Sequence, residues 1–149
     1  MKNTSNKEKS NNVPPELEEY LANIGLELAD IEILGSLFLV FGYIYFIEAA
    51  NIDKELIRNP NNPTTAGSRG RPTNITLIGE ELILEGLIIL WIVAVKRIDE
   101  KALENSDDSL APYERLANAY LVSVIANKER VIALSEINRI LNNNGEAFV

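Results

Sequence analysis

The chain has no cysteine and no histidine, and only one methionine and one tryptophan among its 149 residues. Without cysteine there is neither a disulfide nor a thiolate nucleophile, and without histidine there is no imidazole base. Together the two absences remove thiolate and imidazole metal sites and most nucleophilic catalysis. Positive charge is scarce as well: 14 Lys and Arg stand against 22 Asp and Glu, a formal net charge of -8. A negative surface field repels the phosphates of nucleic acid and of anionic lipid headgroups, so nucleic acid is not an expected partner.

What is abundant is apolar residues, unevenly spread. A hydrophobic content of 46% is ordinary for a globular domain, whereas 24% charged residues is high for a protein built mainly of membrane spans. The length suits one folding unit with loose ends. Residues 1–13, MKNTSNKEKSNNV, are too polar to offset the entropy of ordering and read as a disordered tail. The first apolar run starts only near residue 31, behind the acidic stretch ELEEYLANIGLELAD. No cleavable secretory signal is therefore read, and the expected location is the cytoplasm or a cell- or spore-associated structure, with a membrane as the alternative. Seventeen asparagines and eighteen isoleucines, both encoded by A/T-rich codons, point to a bacterial source.

Residues 14–142 are expected to form a single all-α domain, followed by a loose tail at 143–149. Pro14 and Pro15 suit a helix start, with Glu16, Glu18 and Glu19 at its positive end. This first helix is expected to run to about Ile57, either unbroken or broken near Gly25 or Gly35. Residues 59–74 hold three prolines, two glycines and four asparagines and read as a flexible connection. A second helix is expected from about Ile75 to Glu104 and a third from Pro112 to about Leu141. The third carries Leu116, Tyr120, Val124, Val131, Leu134 and Leu141 at helical spacing, and reads as an amphipathic helix covering one flank or lying on a membrane surface.

The most specific feature is an internal repeat. IEILGSLFLVFGYIYFIEAA lies over ITLIGEELILEGLIILWIVA at an offset of 44 residues, matching Ile31 with Ile75, Gly35 with Gly79, Gly42 with Gly86, Ile44 with Ile88 and Ala50 with Ala94. A spacing of seven puts both glycines of each helix on one face. Each glycine costs a helix interior roughly 1 kcal/mol relative to alanine, so the stripe calls for a compensating contact. Close backbone approach between helices is the expected one. Gly35, Gly42, Gly79 and Gly86, together with Phe38, Phe41, Tyr45, Phe46 and Trp91, are the expected packing and assembly residues. The acidic leader followed by two such helices resembles small, glycine-punctuated hydrophobic helical proteins of spore-forming Gram-positive bacteria. They have no assigned chemistry, so the resemblance implies a structural or assembly role.

Ile33 to Ile47 is a run of fifteen uncharged residues. A spanning helix needs about 20, which Ile31 to Ala50 reaches only by including Glu32 and Glu48. The longest uncharged run of the second helix is only ten residues, Gly86 to Val95, with Glu80, Glu81 and Glu85 before it. A helix apolar all round must nevertheless be wrapped on every side. The expected function is a non-enzymatic protein that self-assembles through its hydrophobic helix pair, its partners being its own copies. A small integral membrane protein of the pore-forming or scaffolding kind is the runner-up, and an enzyme using only carboxylates comes third. Arg69 and Arg71 read as a solvated loop, since the Lys-Ser/Thr pair of a P-loop is missing. Glu80, Glu81 and Glu85 could hold a hard cation or act as acid and base, but read as a polar helix edge. No cofactor, metal or small-molecule substrate is expected.

Overall fold

A computed structural model describes residues 14–59, 71–104 and 109–143, which form three α-helices and no strand. Helix α1 is Pro15–Arg58, α2 is Pro72–Glu104 and α3 is Ala111–Asn143. The polar tail at 1–13, residues 60–70 of the connection (with Arg69), the turn at 105–108 and the tail at 144–149 lie outside the described residues.

The helix ends follow the local chemistry. Pro15 opens α1, where its missing N–H is no loss, and Glu16 and Glu18 face the positive end of the helix dipole. The chain leaves the helix at Asn59, whose N–H donates to Glu55 O at 3.0 Å. Pro72 opens α2, and the N–H groups of Asn74 and Ile75 donate to Arg71 O at 3.0 and 3.2 Å. Ala111 N donates to Ser109 Oγ at 3.4 Å at the start of α3.

Helix α1 is continuous over 44 residues, unbroken at both Gly25 and Gly35. Both glycines have partners across the helix interface, and this packing holds the helix through them. The second helix starts three residues earlier than its apolar pattern implied, because Pro72 can serve as its first residue.

Helix α2 is central. It packs against α1 on one side and α3 on the other, while the backbones of α1 and α3 stay apart. The buried residues of α1 include Leu21, Leu28, Gly35, Gly42 and Ala49, a strict seven-residue period, and Gly79, Gly86, Val93 and Glu100 repeat the period on α2. A strict heptad drifts around a straight helix, so keeping such a seam in register imposes a left-handed supercoil. On α3 the buried and half-buried residues Ala117, Tyr120, Val124, Asn127, Val131, Leu134, Asn138 and Leu141 alternate spacings of three and four, the seam of an antiparallel coiled coil against α2. A small core of Ala49, Ile52 and Ile75, joined by Leu56, closes one end of the α1–α2 pair.

Candidate assembly interface

The four repeat glycines meet across the α1–α2 contact in antiparallel order, Gly35 opposite Gly86 and Gly42 opposite Gly79. A Cβ built on Gly42 would stand 2.6 Å from Gly79 O and 2.5 Å from Ile83 Cγ1. One on Gly79 would stand 2.8 Å from Gly42 O, and one on Gly86 would stand 2.7 Å from Gly35 O. Gly35 is less tight, its Cβ meeting Ile89 Cγ2 at 2.9 Å and Gly86 O at 3.2 Å. Backbone oxygen cannot rotate aside as a side chain can, so at Gly42, Gly79 and Gly86 no larger residue fits unless the helices separate. Each glycine carbonyl lies against the opposite glycine's Cα, the arrangement that supports weak Cα–H···O contacts.

The aromatic residues divide between two faces. Phe46 lies over Gly79, with Cδ1 and Cε1 2.7 Å from a Cβ built there, and Phe38 Cβ stands 3.0 Å from one built on Gly86. Tyr43 meets Phe46 edge-on, with ring centroids 5.9 Å apart. Phe41 and Tyr45, in contrast, are exposed, and Trp91 is half-buried on α2. The outward residues of α1 form their own seam: Ile33, Leu37, Val40, Ile44 and Ile47 are 58%, 45%, 53%, 52% and 63% exposed. They stand two residues before or after the buried Gly35, Gly42 and Ala49, which places them on the opposite side of the helix. Leu34 and Phe41 widen this apolar strip.

A polar cluster joins the three helices. Glu80 is 2% exposed. Its carboxylate accepts a hydrogen bond from Asn127 Nδ2 and pairs with the Arg130 guanidinium. That guanidinium also lies 5.9 Å from the centroid of the Phe46 ring. Burial pushes the Glu80 carboxyl above its usual range, and Arg130 and Asn127 pull it only part of the way back. Asn127 and Asn138 sit in the α3 seam, and the Oδ1 of each is buried with no partner among the described residues. Sequence reasoning missed both: an asparagine at an inward position looks like surface unless the three-four spacing on either side of it is followed through.

Glu81 and Glu85 are exposed on α2, away from Glu80, and no three acidic side chains among the described residues gather to hold a metal ion. Arg71 donates from Nη1 to Asn142 Oδ1 at 2.8 Å, tying the start of α2 to the end of α3. Arg97 donates to Glu100 Oε2 at 2.7 Å and to Gly25 O at 3.4 Å, and lies 3.9 Å from Glu32. Glu32 and Arg97 join Tyr113, Leu116 and Tyr120 in lining a shallow groove of about 210 Å³ between α1 and α3.

No protein-family model, curated protein or solved structure matches the chain.

Proposed function

We propose that this is a non-enzymatic structural protein that assembles with its own copies in water by covering the outward apolar face of α1. The observation that carries this reading is the unequal chemistry of the three helices at one height. Gly35 lies opposite Gly86 and Gly42 opposite Gly79, so Glu81 and Glu85 stand beside the middle of the apolar strip. Both are exposed, as are Lys128, Glu129 and Arg130, which lie level with Glu80. A bilayer centred on the strip would surround all of these charges, at roughly 2.5 to 3.5 kcal/mol for each one near mid-depth. A protein partner needs to touch only α1. Burying a half-exposed apolar side chain gains roughly 1 kcal/mol, so seven on each of two copies supply about 14 kcal/mol against an association cost of ~4 to 15 kcal/mol.

One observation favours a second reading, membrane insertion. Among the described residues α1 alone is long and apolar enough to span: its best 18-residue window has a mean hydropathy of 1.9 and is only 17% buried. Light scattering on detergent-free protein separates the two. Assembly predicts a defined species at a multiple of 16.6 kDa. A stable monomer, or material soluble only in detergent, overturns it.

A further inference from the structure

Resting on the self-assembly reading, we infer that the occupant of the outward α1 face is the α1 helix of a second copy, packed antiparallel about a two-fold axis in one register. The area is sufficient. Ile33, Leu34, Leu37, Val40, Phe41, Ile44 and Ile47 are each about half exposed. At about 100 Å² apiece they offer roughly 700 Å² per copy, close to the ~800 Å² per partner of a standard stable interface.

The charges at the ends of the strip choose the direction. Following the outward three-four spacing beyond the apolar run leads to Asp30 at one end and to Asn51 and then Lys54 at the other, all three exposed. Antiparallel coiled coils pair the two kinds of seam position with each other. Placing Val40 against the partner's Ile44, and Leu37 against the partner's Ile47, then brings Ile33 to the partner's Asn51 and Asp30 to the partner's Lys54. Symmetry repeats each pair, so the apolar centre is closed at both ends by opposite charges. A parallel pairing would stack Asp30 on the partner's Asp30 and Lys54 on the partner's Lys54, each a like-charge contact. A two-fold contact is self-complementary, as a surface that pairs with its own copy requires.

The test uses the full chain, whose lack of cysteine makes introduced thiols unique. Asp30→Cys and Lys54→Cys proteins, mixed and treated with a short bis-maleimide, are expected to give a cross-linked dimer containing one of each. Neither should cross-link alone, because like positions lie 24 residues apart along the axis, about 36 Å. Separately, Asp30→Lys and Lys54→Asp should each weaken dimerisation roughly tenfold, and the double exchange should restore it. Cross-linking of Asp30→Cys to itself would show a parallel pair and overturn the proposed direction. An intact assembly with no mixed cross-link and no response to charge reversal would place the contact elsewhere, overturning this inference but not self-assembly. A monomer at every concentration would overturn self-assembly itself.

Discussion

At the scale of single residues, stability depends on the missing side chains of the glycine seam and on one buried carboxylate. Replacing Gly42, Gly79 or Gly86 by alanine gains about 1 kcal/mol of helix propensity but drives a methyl into backbone oxygen. Separating the helices then leaves gaps along the seam, and a net loss of roughly 1 to 3 kcal/mol is expected. Gly25 is the control, because its Cβ would meet chiefly Glu100 Oε1 at 3.0 Å, the far end of a flexible side chain. Gly25→Ala should therefore be neutral or raise the melting temperature, and equal effects at all four positions would remove the packing role. Glu80 makes a different prediction. Burial raises its carboxyl above the ordinary glutamate value of 4.5, so the folded state holds a proton at pH values where the unfolded chain has lost it. The stability it contributes is complete below that value and is lost as pH rises through the raised one. Melting curves of Glu80→Gln should show a smaller fall than those of the parent as pH rises above the ordinary glutamate value, and the variant should be no less stable at neutral pH. A steeper fall in the variant would reverse the assigned direction.

The helices themselves were largely legible in the sequence, for reasons that also explain what was not. Proline at a start and a polar, proline-rich connection mark a boundary through the backbone alone, and two glycines seven apart inside an apolar helix are conspicuous because they are costly. The partners of Gly35 and Gly42 could not be read, since a repeat by translation says nothing about whether its two copies pack parallel or antiparallel. Nor could the split between Phe46, which covers Gly79, and Phe41, which points outward, because a helix apolar all round carries no periodic signal. The α3 seam was obscured by its two asparagines, and these respond differently to substitution. Asn138 donates only a long 3.4 Å hydrogen bond to Thr73 O and leaves its own Oδ1 unpartnered. Asn138→Leu should thus stabilise by roughly 1 to 2 kcal/mol in thermal unfolding. Asn127→Leu strips a donor from the buried Glu80 and should cost about 1 to 3 kcal/mol. Equal shifts of the same sign would show that the Glu80 contact contributes little.

For the whole molecule, the decisive property is that the apolar strip of α1 has exposed charges beside it at the same height on α2 and α3, where exposed isoleucines and valines are interspersed with Glu81, Glu85, Lys128 and Glu129. A bilayer would have to cover α1 yet leave Glu81, Glu85 and Arg130 wet, although α2 and α3 accompany α1 through the same height. An interface with another copy has no such conflict, because it ends where the side chains of α1 end. The protein should then behave in cells as a lipid-free assembly. Flotation of untreated membranes on a density gradient should leave most of it in the dense fractions. Whatever does float should be released by alkaline carbonate, which strips protein from bilayers without dissolving them. Charge reversal at Lys54 sharpens the comparison, since it weakens an assembly held by paired α1 helices but leaves the apolar length of α1 unchanged. A shift from dimer towards monomer in Lys54→Asp, without gain of floating material, is the outcome expected of assembly in water. Co-flotation that survives carbonate, in the parent and in Lys54→Asp alike, would establish α1 as a membrane span and require Glu81 and Glu85 to be sheltered by further copies within the bilayer.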